Sequence, residues 1–194
     1  LIIAGSDSSG GAGIQADIKT VTALGSYATT AVTAVTAQNT KGVKKIIPIP
    51  TEIVQKQIIM ILDDIGTNAV KIGMLHNAGI IKIIYKILKK YKSKNIVLDP
   101  VMISKGGAKL ISDNSIKHLK KLLLPLCTLV TPNIPEAEVL TGYSISTKED
   151  MIKAAKKILN MGSKNVLLKG GHLKNKMIFD ILVTKKGIKV FKKR

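Results

Sequence analysis

Two periodicities alternate along this chain. Short, almost wholly apolar runs predict strands at residues 1–4, 28–36, 45–49, 69–72, 95–98, 129–131, 166–169, 178–184 and 188–191. Runs of that kind suit parallel strands covered on both faces. Between them apolar residues recur every three or four positions, the helical spacing. One helix is expected from about Ile14. Another, capped by Thr51, turns Val54, Ile58, Ile61 and Leu62 to one side, and a third does the same with Ile80, Ile84, Ile87 and Leu88. Ser112 can cap a helix carrying Ile116, Leu119 and Leu123. Thr147 and Asp150 are close to a capping box before Ile152, Ala155 and Leu159. The alternation predicts an α/β fold, a mainly parallel central sheet with helices on both faces. The last two strands are close enough to pair as a hairpin through Lys185-Lys186-Gly187.

The first helix is entered through a loop of small residues, Gly5-Ser6-Asp7-Ser8-Ser9-Gly10-Gly11-Ala12-Gly13. Backbone without side chains can approach a ligand closely, and the helix that follows turns its free N–H groups toward the loop. A Walker A reading fails because Gly10 is followed by Gly11 and Ala12, with no Lys. Gly11, Gly13 and Ala16 fit a dinucleotide fingerprint, but that site wants an acidic residue about 20 positions on, and none stands between Ile18 and Thr51. No serine here has the flanking glycines of a hydrolase elbow. A small-molecule pocket remains, against the plainer alternative of a tight strand-to-helix turn.

At 194 residues and 45% hydrophobic content, the chain can bury one core and is read as one globular domain. No apolar run approaches the ~18 residues of a membrane span. Leu1 opens directly into a strand with no basic stretch before it, so no signal peptide is expected, and a start at Leu suggests a missing N-terminal stub. With a single cysteine, Cys127, no disulfide can form within the chain, which favours a reducing cytoplasm. Cys127, His76, His118 and His172 lie too far apart in sequence for a zinc site.

The net charge of +19 changes the picture less than its size suggests. Of the 31 basic residues only Arg194 is arginine, aromatics make up 3%, and Trp is absent. Phosphate forks and base readout favour arginine, and single-strand binding needs aromatic platforms. No specific nucleic-acid partner is therefore expected. Lysines such as Lys82, Lys86, Lys89 and Lys90 fall on polar helix faces, as compositional drift would place them.

Further segments bear on function: Thr36-Ala37-Gln38-Asn39-Thr40, Lys71-Ile72-Gly73-Met74-Leu75, Leu98-Asp99-Pro100-Val101-Met102, Thr131-Pro132-Asn133-Ile134-Pro135-Glu136 and Lys169-Gly170-Gly171-His172. With the opening loop, in this order and from Leu1 to about Phe191, they resemble the hydroxymethylpyrimidine and phosphomethylpyrimidine kinases of thiamine biosynthesis, a branch of the ribokinase-like superfamily. The resemblance implies a single ribokinase-like kinase domain over residues 1–194, working in the cytoplasm on a small pyrimidine with ATP and Mg²⁺. It implies no membrane partner, and it allows a homodimer. Gly5, Gln38, Gly73, Asp99, Asn133 and Gly170 each sit at or just past a predicted strand end, where such sheets bind ligands.

The residue roles follow from the same resemblance, each beside a plainer alternative. Gln38 offers one acceptor and two donors to an aminopyrimidine edge, or simply bonds backbone. Asp17 would meet the substrate's hydroxymethyl group, or complement the first helix dipole. Gly5 and Ala12 line the approach. Met74 and Val101 would wall the pocket, or fill core. Asp99 would orient magnesium through water, or cap a turn. Asn133 and Glu136 form an N-x-x-E pair that could hold a magnesium water shell, or merely open a helix. Lys169 would neutralise nucleotide phosphates, with Gly170 and Gly171 leaving room for them; otherwise it is one more surface lysine.

One departure stands out. The family carries a Gly-Thr-Gly-Cys/Asp motif at a helix start, supplying an anion hole and a base, and residues 1–194 lack it. No catalytic residue is therefore expected within this chain, and the missing segment should follow Arg194. The expected activity is phosphoryl transfer from ATP to 4-amino-5-hydroxymethyl-2-methylpyrimidine and its monophosphate. Pyridoxal or pyridoxine phosphorylation, or a non-catalytic pyrimidine-binding remnant, are the alternatives.

Overall fold

The computed structural model describes residues 1–102, 111–172 and 177–193. Among the described residues nine strands form one sheet: β1 (Ile2–Asp7), β2 (Thr30–Asn39), β3 (Gly42–Pro48), β4 (Val70–Ile72), β5 (Ile96–Leu98), β6 (Leu129–Val130), β7 (Asn165–Leu168), β8 (Ile178–Thr184) and β9 (Gly187–Lys193). Their spatial order is β3-β2-β1-β4-β5-β6-β7-β8-β9. Pairings from β2 through β1 to β7 are parallel, as expected, whereas β2–β3, β7–β8 and β8–β9 are antiparallel. The β8–β9 hairpin turns where the sequence placed it. The chain runs outward from β1 in one direction and returns to run outward in the other. That reversal leaves a crevice beyond the carboxyl ends of β1 and β4, the position where open α/β sheets bind ligands.

Helices α1 (Gly13–Ala23), α2 (Thr51–Asp64), α3 (Ala78–Lys90), α4 (Asp113–His118), α5 (Ile134–Thr141) and α6 (Lys148–Asn160) divide unequally between the faces. Successive strand residues point to opposite sides. Ile3, Ile72, Leu98, Val130 and Leu168 face one large core with α2 through α6. Ile2 and Ala4 face the other way, against Ile14 of α1. In α3 the whole predicted stripe, Ile80, Ile84, Ile87 and Leu88, is buried together with Ile81. No helix among the described residues is long and apolar enough to cross a membrane.

Several boundaries moved for identifiable reasons. β1 runs on to Asp7, so Gly5 lies within the strand, and β2 runs on to Asn39, taking in Gln38. Pairing with β3 keeps those polar residues extended. Thr51 does not cap α2: Pro50 occupies that position, its carbonyl accepting from the N–H groups of Ile53 and Val54. The Ser112 cap and the Thr147–Asp150 capping box are present. The stretch after Ser112 does not stay α-helical. It loosens into a π-helical turn at Leu119–Leu123 and a 3₁₀ turn at Leu124–Leu126, where Pro125 cannot continue an α-helix.

Candidate active site

A cavity of about 520 Å³ occupies the crevice at the reversal of strand order. Gly5, Ala12, Asp17, Gln38, Met74, Asp99, Val101, Asn133, Glu136 and Lys169 all line it, brought together from six separate stretches of sequence. Its volume falls in the ~300–1,000 Å³ range of small-molecule sites.

The small-residue loop is organised from inside. Asp7 ends β1 and is 3% exposed. Its Oδ1 accepts from Ser9 N at 2.8 Å and Ser9 Oγ at 2.7 Å; its Oδ2 accepts from Ala12 N at 2.8 Å and Gly11 N at 3.1 Å. Burial disfavours the charged form, but the Ser9 hydroxyl and the three backbone N–H groups outweigh it and hold the carboxyl below its ordinary value. These loop amides are therefore taken up within the chain. A carboxylate of the chain already fills the nest they form. Gln15 braces the same turn, its Oε1 accepting from Asp7 N at 2.8 Å and its Nε2 donating to Ser6 Oγ at 2.7 Å. Gly13 has φ of 56°, and any Cβ there would run into the Gly5 carbonyl, so α1 packs directly on β1 only with glycine at that position.

Gln38 is presented by clipping its backbone. Ser8 Oγ donates to Gln38 O at 2.7 Å and accepts from Gln38 N at 2.8 Å. Thr36 Oγ1 lies within 2.8 Å of Ser6 O and 3.4 Å of Gln38 Oε1. The backbone is thus satisfied locally, which leaves the side-chain amide as the group Gln38 offers to the cavity. Met74 and Val101 complete an apolar wall. Asp17 is not a free acid: Lys71 Nζ, from the middle of β4, sits 2.6 Å from its Oδ2.

Across the cavity the groups are charged. Asp99 follows β5, and its Oδ1 accepts from Lys169 Nζ at 3.0 Å and from Thr131 Oγ1 at 3.2 Å. A parallel bridge between Asn133 and Lys169 extends the β6–β7 pairing and fixes the distance between those two stretches. Asn133 caps α5 in a full capping box: its Oδ1 accepts from Glu136 N, and Glu136 Oε2 accepts from Asn133 N, both at 2.9 Å. The plain helix-opening reading of Asn133 and Glu136 is thus correct as far as it goes. Glu136 nevertheless lines the cavity while only 3% exposed. Burial pushes its carboxyl up to about 7. Asp99 adds to the rise; the Asn133 and Met102 N–H groups and Lys169 oppose it. Among the described residues no cluster of three or more His, Cys, Asp or Glu could hold a metal by itself. Hard oxygen donors on Asp99 and Glu136 suit magnesium held through water and shared with phosphates.

Gly170 and Gly171 are the expected site residues that fall outside the cavity lining, and Gly170 is the informative one. It is buried behind Lys169, where its N–H donates to Asp180 Oδ1 at 2.9 Å and a Cβ would collide with the Phe179 carbonyl. Its lack of a side chain gives room to β8. Sequence reasoning missed Asp7 and Lys71. Both carried a signal: a charged residue ending or interrupting an apolar strand is costly unless paired.

The phosphomethylpyrimidine kinase family model matches residues 7–194. A thiamine biosynthesis bifunctional protein of Geobacter sulfurreducens is 52% identical over 173 residues, 89% of this chain and 35% of that protein. The hydroxymethylpyrimidine/phosphomethylpyrimidine kinase of Bacillus subtilis is 49% identical over 172 residues, 89% of this chain and 64% of that protein. The chain thus spans less than two thirds of the length of these relatives. The crystal structure of a phosphomethylpyrimidine kinase from Clostridium difficile superposes with a TM-score of 0.91 at 51% identity, over 98% of this chain and 82% of that one.

Proposed function

Because the chain belongs to the phosphomethylpyrimidine kinase family, we propose that it serves thiamine biosynthesis. It would move the γ-phosphoryl group of ATP onto the hydroxymethyl group of 4-amino-5-hydroxymethyl-2-methylpyrimidine, and then onto the resulting monophosphate. The observation that carries this reading is one cavity with two unlike ends: an amide and apolar end around Gln38, and a charged end around Lys169 and Glu136.

Gln38 would pair through its amide with the ring nitrogen and amino group of the pyrimidine, against a wall made by Gly5, Ala12, Met74 and Val101. Asp17 would meet the hydroxymethyl group. Lys169 would face the nucleotide phosphates, with Asp99 holding its ammonium in place. Glu136, with Asn133, would hold magnesium through water. Magnesium held there would supply positive charge to offset that of the phosphates. In the transfer the substrate oxygen bonds to the γ-phosphorus, the bond to the β–γ bridging oxygen breaks, ADP leaves, and a base takes the hydroxyl proton. That base, and the donors around the transferring phosphate, would come from the Gly-Thr-Gly-Cys/Asp motif that the family carries at a helix start, which residues 1–194 lack. The protein would act in the cytoplasm, and the family resemblance allows a homodimer.

Calorimetric titration of the purified protein tests the substrate. The aminopyrimidine alcohol should bind more tightly than pyridoxal. Tighter binding of pyridoxal, or no binding of the pyrimidine, would overturn the assignment. Residues 1–194 alone should transfer no phosphate; measurable turnover, free of host kinase, would show that the catalytic groups lie inside this chain.

A further inference from the structure

Lys71 occupies the centre of β4, a strand with parallel neighbours on both sides. Val70 and Ile72 on either side of it are fully buried in the large core, so Lys71 points to the opposite face, toward α1. An apolar residue would cover that face at less cost, because an ammonium leaving water must find a partner. The partner is Asp17, 2.6 Å away on α1. The route to it passes over Gly73, where a Cβ would stand only 3.1 Å from Lys71 Nζ and 3.1 Å from the Ala4 Cβ. The pair is not sealed in the core: both residues line the cavity, with side chains 30% and 22% exposed. The strand, the glycine and the helix thus deliver a cation to the cavity wall beside the carboxylate.

We propose that Lys71 is the specificity-determining residue that lets one site take both the uncharged alcohol and its phosphate monoester. The inference rests on the reading that Asp17 meets the substrate's hydroxymethyl group. With the alcohol bound, Lys71 stays on Asp17, and the neutralised carboxylate receives the hydroxyl. The monoester places a group of about −1.5 to −2 charge at the same position, beside a carboxylate. Lys71 then transfers its hydrogen bond from Asp17 to the phosphate, which offsets the repulsion. Without Lys71 the site would discriminate against the second substrate.

The test is calorimetric titration of the alcohol and the monophosphate, without nucleotide, into the protein and its Lys71→Met and Asp17→Asn variants. Lys71→Met should weaken the monophosphate by about tenfold or more, the size of a lost charged hydrogen bond, and the alcohol by much less. Asp17→Asn should shift the two ligands in opposite directions, tightening the monophosphate and weakening the alcohol. Equal weakening of both ligands by Lys71→Met would make Lys71 a support for the fold and overturn the proposal. So would an Asp17→Asn variant that leaves the monophosphate no tighter, and this second variant keeps the test decisive should Lys71→Met fail to fold. If neither variant changes either ligand while Gln38→Leu still weakens both, the placement of Asp17 is wrong, and the inference falls with it. If Gln38→Leu is silent as well, the pyrimidine reading itself has failed.

Discussion

The two ends of the cavity are built on different principles. Around Asp7 and Gln38 the polar groups are satisfied within the chain: a buried carboxylate takes the loop amides, and one serine holds both backbone groups of Gln38. Around Asp99, Glu136 and Lys169 the charges are packed close together but incompletely matched, and burial drives the Glu136 carboxyl to about 7. A rigid, internally neutralised end suits recognition of a flat uncharged ring by shape and a few hydrogen bonds. An end with charge to spare suits phosphates and a metal, which bring the missing counter-charges with them.

The comparison predicts that the first end breaks through its backbone. Gly13→Ala combines a left-handed φ with a collision against the Gly5 carbonyl. It should cost about 2–4 kcal/mol of stability by urea unfolding and abolish pyrimidine binding. A stable variant that still binds would show that α1 can shift off β1.

Asp7→Asn should cost somewhat less, about 1–3 kcal/mol, because it sets an amide donor against N–H donors. It should also change the acid limb. The Asp7 carboxyl is held below its ordinary 3.8, so its contribution is fully present above that value and is lost as pH falls through the lower folded value. Melting temperature should therefore drop more steeply below about pH 4 in the wild type than in Asp7→Asn. Parallel curves would remove Asp7 from the account.

Glu136 gives the opposite sign. Its folded carboxyl lies near 7 against an ordinary 4.5. The stability it contributes is full below 4.5 and is lost as pH rises through 7. Glu136→Gln should flatten stability across that window, weaken magnesium-dependent nucleotide binding and spare the pyrimidine; chelating magnesium in the wild type should mimic the second effect. Unchanged nucleotide binding would leave Glu136 as no more than half of a capping box.

Much of this organisation was legible because simple periodicities carried it. The α3 stripe is buried as spaced, and the Ser112 and Thr147 caps follow from side chains that bond their own helix. Less legible was anything decided by a distant partner. Nothing local says that Asp7 collects the amides of Ser9, Gly11 and Ala12 instead of leaving them to a ligand. Gly170, in a Lys-Gly-Gly-His run, gives no local sign that β8 folds against it. Lys71 could be noticed as a charge in an apolar strand, but its partner lies 54 residues away.

The claim that one cavity has two separable ends is tested most directly by cross-titration. The aminopyrimidine alcohol and a non-hydrolysable magnesium–ATP analogue would each be titrated into the wild type, Gln38→Leu and Lys169→Met. Gln38→Leu should lose about 1–3 kcal/mol of pyrimidine binding, from ring groups left unpaired, with nucleotide binding unchanged. Lys169→Met should do the reverse. If either variant weakens both ligands alike, the two ends are not separate, and the division drawn here between ring recognition and phosphate handling is wrong.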